Sequence, residues 1–267
     1  MRAASRVSLV MCVFNGLEDT RRCLESLRRT TEPFHLVVMD NGSTDGTAEF
    51  LERFPYPYPH TFARSAANAG VIAALNRAWR LADTELLCFL HNDTEMPEPA
   101  WLSRLTDALA EPGAGLTGLY GAKRLRADGR AVSRTIVHSL LPRPTVRAPW
   151  EEVVFVDSVC MCISRELMDS IGGFDEGYGF YHGHDRDLSL AVLERGRRCL
   201  IVHAPFDHHG GRTRTRGFAA DPERERADLA LRRASVARFA TKYHHRLPAD
   251  VRSTPRRMSD WLRTRLR

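Results

Sequence analysis

The chain has 267 residues, 43% of them hydrophobic, and a formal net charge of +6 at pH 7, enough for one large α/β domain or two small ones around a real core. Its longest apolar runs, 7–14 and 86–90, fall far short of the ~20 residues of a membrane-spanning helix, so no spanning segment is expected. The basic residues crowd into 212–216, 224–238 and 252–267 without interleaved aromatics and without helix-turn-helix or zinc-finger spacing. That sets nucleic acid aside and leaves a membrane surface, touched peripherally, or a nucleoside diphosphate as the partner of that charge.

Residues 1–14 begin basic and turn apolar, but they run into Asn15-Gly16 and an amphipathic stretch with no small-residue cleavage site, so 7–14 reads as a first strand rather than a leader. Its nearly continuous apolar character is that of a parallel strand covered on both faces. A helix over 19–29 puts Cys23, Leu24 and Leu27 on one stripe. A second strand is expected at 35–39, a short helix at 47–54, a helix at 71–82 with Val71, Ile72, Leu75, Ala78 and Trp79 on one face, and a buried strand at 85–90. A helix with Trp101, Leu102, Leu105 and Leu109 inward closes this half, and repeated βαβ units imply a parallel sheet.

After residue 112 the pattern changes. Short strands are expected at 116–120, 122–125 and 131–135, the last two joined as a hairpin through Ala127-Asp128-Gly129-Arg130. Residues 141–149 carry three prolines and read as a loop over the site. Strand pattern resumes over 153–163, a helix over 165–171 ends at Gly172-Gly173, a helix over 185–195 stops at Gly196, and 199–203 is a final strand. The text from 221 onward is charged and helical. The six cysteines, Cys12, Cys23, Cys88, Cys160, Cys162 and Cys199, mostly lie in apolar runs with no Cys-x-x-Cys pair, which points to buried free thiols in a reducing compartment and hence to the cytoplasm.

Four polar clusters follow strands or open helices: 40–45, 91–95, 182–187 and 207–213. The first, Asp40-Asn41-Gly42-Ser43-Thr44-Asp45-Gly46-Thr47, stops an apolar strand abruptly. An acid at the carboxyl end of such a strand can accept two hydrogen bonds from a planar base or a ribose diol. Asp40 is expected to lie beyond the strand rather than in the core, so that its loss would spare the fold. The structural alternative is a tight strand-to-helix turn with Asp45 or Thr47 as the helix cap.

With these clusters come Ala67-Asn68-Ala69-Gly70, Leu90-His91-Asn92-Asp93-Thr94-Glu95, Gly172-Gly173-Phe174-Asp175-Glu176, His184-Asp185-Arg186-Asp187-Leu188 and His208-His209-Gly210-Gly211-Arg212-Thr213. In this order and spacing the chain resembles the family 2 inverting glycosyltransferases over roughly residues 6–215. The resemblance implies the GT-A fold: an α/β class with a single Rossmann-like, mainly parallel sheet flanked by helices, a small antiparallel element and a helical C-terminal extension. It divides the chain into a domain over 1–215, with a nucleotide-sugar half at 6–112 and an acceptor or catalytic half at 113–215, and a basic extension at 216–267.

Carried over by residue, the resemblance implies that Asp40 and the backbone near Asn15 receive the nucleotide base and that Asn68 lies near the sugar nucleotide. Asp93 becomes the second acid of a metal-binding Asp-x-Asp motif and Asp185 the base that deprotonates the acceptor. His208 approaches the metal and diphosphate, and Arg212 contacts the diphosphate. The donor is a nucleoside-diphosphate sugar, with uracil or thymine as the base, and the acceptor a glycan, glycolipid or secondary metabolite. Two positions depart from the family pattern: His91 replaces the first acid of Asp-x-Asp, and His184 replaces the acid before Asp185. An imidazole at 91 favours Mn²⁺ over Mg²⁺. A zinc site at His182 and His184 lacks a third and fourth ligand, so these histidines read as hydrogen-bonding groups.

Plainer roles stand beside these. Asp93 can serve as a turn residue before Pro97, Gly172-Gly173 is structural on any reading, Asp187 can orient its helix start or hold Asp185, and His203 reads as a satisfied core histidine. A nicotinamide-dependent oxidoreductase is disfavoured because Phe14-Asn15-Gly16-Leu17 lacks the Gly-x-Gly-x-x-Gly that lets backbone approach a pyrophosphate. A non-catalytic nucleotide-sugar-binding scaffold is disfavoured by the retention of Asp93, Asp185 and His208.

Overall fold

The computed structural model describes residues 5–141, 148–210 and 221–251. The first apolar run forms β1 (Val7–Val13) and divides its side chains between two cores, Val7, Leu9, Met11 and Val13 entering one and Val10 the other. Strands alternate their side chains across the sheet, so a strand covered on both sides needs apolar residues at every position. Ser8 is the polar exception, fully buried and accepting a hydrogen bond from Thr84 Oγ1 at 2.8 Å.

There follow α1 (Leu17–Leu27), β2 (Phe34–Asp40), α2 (Thr47–Arg53), β3 (His60–Arg64), α3 (Val71–Arg80), β4 (Leu86–Leu90), β5 (Thr94–Glu95) and α4 (Trp101–Leu109). The apolar stripes read from the sequence are the buried ones: Cys23, Leu24 and Leu27 on α1, Ile72, Leu75, Ala78 and Trp79 on α3, and Trp101, Leu102 and Leu105 on α4. β3 had no expected counterpart. It is an edge strand in which no residue is buried, and an edge covered on one side leaves little apolar signal to read.

The second half contains β6 (Ala114–Gly118), β7 (Tyr120–Ala122), β8 (Arg124–Leu125), β9 (Ile136–His138), β10 (Trp150–Val153), β11 (Phe155–Val156), β12 (Cys160–Ser164), α5 (Arg165–Ile171), α6 (His184–Glu194), β13 (Arg198–Val202), β14 (Asp207–His208), α7 (Pro222–Lys242) and β15 (Ala249–Asp250). The expected strand over 153–163 is in fact three. Val154 N–H pairs with Ala122 O as the chain leaves the main sheet, and Asp157 Oδ1 accepts from Val159 N at 3.1 Å in a turn before β12. The hairpin turn at 127–130 forms, with Gly129 N–H bonded to Arg126 O, but only a single bridge joins Leu125 to Ala131, and Ser133–Thr135 is a 3₁₀ turn rather than strand. The proline-bearing stretch 142–147 lies outside the described residues.

Eight strands in the order β10-β13-β6-β12-β4-β1-β2-β3 make the main sheet. β4, β1, β2 and β3 are parallel, as are β6 and β13, while β12 opposes both β4 and β6 and β10 opposes β13. The carboxyl ends of β1, β2, β4, β6 and β13 therefore share one rim, and β12 starts there. A mainly parallel sheet flanked by helices with small antiparallel companions, as expected, is the architecture. Among the described residues no helix is long and apolar enough to cross a membrane.

α7 is a 21-residue helix whose buried residues are Asp228, Ser235 and Phe239. It is pinned by charge as well as packing. Arg238 and Lys242 donate to Asp175 at 2.8 and 2.9 Å, and Lys242 Nζ lies 2.7 Å from Asp187 Oδ1. Burial alone would raise the Asp175 carboxyl, but hydrogen bonds from Lys242, Arg238 and the Gly177 N–H outweigh it and hold the group down to about 2. An acid depressed on folding contributes stability that is fully present above its unfolded pKa of ~3.9 and is lost as pH falls through the folded value. Asp175→Asn is therefore expected to unfold at lower urea than the parent at pH 7, with the gap closing between about pH 4 and 2; a gap that persists at pH 2 would remove the ionic pin.

Candidate active site

The donor side of the rim is a net of side chains bridging three loops. Asn15, in a left-handed conformation at φ 55, donates its N–H to Ser43 Oγ at 2.8 Å and accepts Thr44 N–H on Oδ1 at 2.8 Å. Asp45 takes the N–H groups of Gly16 and Leu17 at 2.7 and 3.3 Å as well as that of Thr47 at 3.1 Å. It thus binds the start of α1 across the rim as well as the first turn of α2, more than the single cap expected of it. Asn41 Nδ2 donates to Asn68 Oδ1 at 2.9 Å and to Gly70 O at 3.2 Å, and Asn68 Oδ1 also accepts Gly70 N–H at 2.9 Å. Gly42 and Gly70 are required at their positions: both have positive φ, and a Cβ would sit 2.8 Å from Ala67 C in one case and from Phe180 O in the other.

Asp40 corrects the sequence reading. It is the last residue of β2 and 0% exposed, not beyond the strand. Its carboxylate accepts Ser43 N–H at 3.2 Å and pairs with Arg64 Nε at 3.1 Å, so removing it deprives the exposed Arg64 side chain of its ion pair and Ser43 N–H of its partner together. Arg64, from the unforeseen edge strand, is the site residue that this half of the sequence concealed.

At the end of β4 the chain turns through His91, Asn92 and Asp93 into β5, which pairs antiparallel with β14 so that Thr94 faces His208. This two-residue ladder brings together segments 114 positions apart. His208 Nε2 lies 3.1 Å and His91 Nδ1 3.9 Å from Asp93 Oδ1, and the two rings stand 5.5 Å apart. The ligating atoms of His91, Asp93 and His208 all fall within 4.8 Å of one another, as a cation site requires. Burial drives the His91 imidazole down to about 4 despite Asp93 beside it, so His91 is neutral with a lone pair to offer. Burial would lower His208 too, but contact with Asp93 outweighs it and raises the group, and the same contact lowers Asp93 against its own burial. His208 Nε2 is buried and its one close polar neighbour among the described residues is Asp93 Oδ1. Two imidazoles and a carboxylate converging in this way fit a divalent ion.

Asp185 sits in the first turn of α6, after Gly183 at φ 88, where negative charge is favourable. It is half-buried, and its Oδ1 accepts Arg186 N–H at 2.8 Å. His184, expected at the substrate, is instead buried edge-on to Phe174 at 5.4 Å, with neither ring nitrogen hydrogen-bonded. Burial pushes it below the usual imidazole range. Asp187 faces away, accepting Tyr178 Oη at 2.9 Å and Lys242, so it ties α6 to α7 and does not hold Asp185. His203 meets Ser139 Oγ at 3.2 Å through Nδ1, as a satisfied histidine should. Arg212 lies outside the described residues.

Asp157 was not foreseen. It stands at the rim where β12 begins, and burial followed by the charge of Asp185 raises it to about 6. The available signal was a lone acid inside an otherwise apolar run. A buried carboxylate shifted by a second one is an arrangement that functional sites favour.

Residues 8–172 match the family model for glycosyl transferase family 2. The chain belongs to that family. This glycosyltransferase is 27% identical over 240 residues to the O-antigen biosynthesis protein RfbC of Myxococcus xanthus, a match covering 80% of the chain and 18% of RfbC. It spans 29% and 33% of two further curated relatives, so it matches a fraction of those proteins' length. Among solved structures, a mannosyltransferase of Pyrobaculum calidifontis in complex with GDP-Man and Mn²⁺ superposes with TM-score 0.62 at 20% identity, over 91% of this chain and 70% of that one. S. aureus TarS in complex with UDP-GlcNAc gives 0.56 at 18% identity, over 74% and 56%. At such identities these likenesses show the fold, which is GT-A.

Proposed function

We propose that the protein transfers a sugar, with inversion, from a nucleoside-diphosphate sugar to an acceptor hydroxyl or other nucleophile, assisted by a divalent cation. The observation that carries this reading is the convergence of His91, Asp93 and His208 on the same rim as Asp185. The acceptor hydroxyl passes its proton to Asp185 as its oxygen bonds to the anomeric carbon, and the bond from that carbon to the diphosphate oxygen breaks on the opposite side. One displacement inverts the centre. The cation, held by Asp93, His91 and His208, supplies positive charge against the phosphates when bound, and two imidazoles beside one carboxylate favour Mn²⁺ over Mg²⁺.

Asp40, with Arg64 and the Asn15 backbone, takes the base, and Asn68 lines the donor's approach. Arg212 meets the diphosphate. Residues 6–112 thus serve the donor, 113–215 the acceptor, and 216–267 form a basic extension. Uracil or thymine remains the proposed base; TarS binds UDP-GlcNAc, whereas the mannosyltransferase binds GDP-Man. The kinship with an O-antigen biosynthesis protein supports a glycan or glycolipid acceptor. The buried free thiols favour a reducing compartment, with membrane contact peripheral.

A panel of nucleotide sugars screened by thermal shift with and without Mn²⁺, followed by assay of nucleoside diphosphate release, tests the reading. Binding without release from any donor would make the protein a scaffold. For the base, Asp40→Asn keeps the shape but removes the charge facing Arg64. We expect roughly 10-fold weaker nucleoside diphosphate binding by calorimetry and a loss of stability of ~1–3 kcal/mol; unchanged affinity would remove Asp40 from the base site.

A further inference from the structure

A single buried hydroxyl fixes the two acids at this part of the rim to one another. Ser189, fully buried one turn into α6, donates to Asp185 O at 2.8 Å and accepts from Val156 N at 3.0 Å. The next residue is Asp157, whose N–H donates to Tyr120 O at 2.7 Å. Two residues further, Val159 O accepts the His91 N–H at 3.1 Å, and the Arg186 guanidinium lies over the Phe155 ring at 5.4 Å. Asp157 and Asp185 therefore belong to one rigid frame made from β11, the start of β12 and the first turns of α6, and that frame is bonded to the end of β4 that carries His91.

Each carboxylate uses one oxygen locally, Asp157 Oδ1 on Val159 N–H and Asp185 Oδ1 on Arg186 N–H. Among the described residues neither second oxygen has a hydrogen-bond partner and neither group has an ion pair. The two carboxylates repel one another, Arg186 and His208 offset only part of this at Asp157, and a ligand that supplies hydrogen-bond donors to the second oxygens relieves the rest.

We propose that Asp157 is an acceptor-binding carboxylate, accepting a hydrogen bond from a second hydroxyl of the acceptor while Asp185 takes the proton of the reacting one, so that the acceptor is a neutral polyol such as a sugar residue rather than a lipid phosphate. This rests on the transferase reading, with Asp185 as base. Ionised carboxylates offer acceptors only, and a polyol offers the matching donors. A phosphate acceptor offers mainly hydrogen-bond acceptors and adds negative charge beside two carboxylates.

The test uses the full chain with the donor found by the thermal-shift panel, and methyl glycosides of common hexoses and dodecyl phosphate as acceptor probes. The parent is expected to transfer to at least one glycoside and not to dodecyl phosphate. Asp157→Asn should raise the glycoside KM ~10–100-fold, with a smaller change in kcat and with nucleoside diphosphate affinity retained. An unaltered glycoside KM, preference for dodecyl phosphate, or cleavage of donor by water with no glycoside competing would each overturn the proposal. The charge preference of the parent decides the matter even where the variant fails to fold. Failure of the parent to release nucleoside diphosphate from any donor instead overturns the transferase reading beneath it.

Discussion

Asp185→Asn is expected to lower the rate of sugar transfer at saturating substrates by ~10²–10⁴-fold, the usual cost of removing a general base. The substitution keeps the side chain's volume and can keep the contact with Arg186 N–H through its carbonyl oxygen, so α6, anchored by Leu188, Leu190 and Val192 in the core, should hold its place. Nucleoside diphosphate affinity should persist, because the group acts on the acceptor and not on the nucleotide. The comparison is therefore between single-turnover transfer, which collapses, and calorimetric binding, which does not. Transfer at the parental rate would send the search for the base elsewhere. Of the nearby candidates, Asp187 is engaged by Tyr178 and Lys242 and His184 is buried against Phe174, which leaves Asp157 as the group to test next.

What was legible in the sequence was what periodicity and abrupt polarity changes encode. A run such as 7–13 with an apolar residue at nearly every position, short and rich in valine, reads as a strand covered twice, and the Ile72, Leu75, Ala78 and Trp79 spacing reads as one helical face. Polar residues breaking off such runs, Asp40 and Asn41 after β2 and His91 to Asp93 after β4, fall on the rim for the same reason: the core ends there. The resemblance to a known family, rather than any period, assigned those residues their chemistry.

What was not legible depends on contacts between distant segments. The pairing of His208 with Thr94 rests on two residues of ladder, too short to leave a pattern. The Asp40–Arg64 pair needs an edge strand whose sequence hardly distinguishes it from a loop. Asp157 was hidden by being read through, as one long strand instead of a strand, a turn and another strand, because the turn is made by a side-chain hydrogen bond and carries no glycine or proline. The grip of Arg238 and Lys242 on Asp175 joins residues 63 and 67 positions apart, and no local rule foretells it.

Chelation is expected to abolish transfer, and Asp93→Ala to reproduce the loss with the metal restored. Asp93 is the one anion of the cluster and the neighbour common to both imidazoles, His208 at 3.1 Å and His91 at 3.9 Å. Without it two imidazole nitrogens remain, and a pair of neutral ligands lacks the charge that a hard divalent ion seeks. Stabilising the departing diphosphate through a bound cation is worth several kcal/mol, and each ~1.4 kcal/mol is tenfold in rate, so a fall of at least ~10²-fold follows. His208→Asn, which leaves the carboxylate and His91 in place, should cost less. After exhaustive EDTA treatment, Mn²⁺ should restore more activity than an equal concentration of Mg²⁺, since imidazole suits the softer ion. The Mn²⁺ dependence of nucleoside diphosphate binding should vanish in Asp93→Ala. Transfer that survives both saturating chelator and Asp93→Ala would sink the metal reading, and the charge on the departing diphosphate would then have to be met by fixed cations, with Arg64 at the donor side and the arginines that follow residue 211 as the groups to replace.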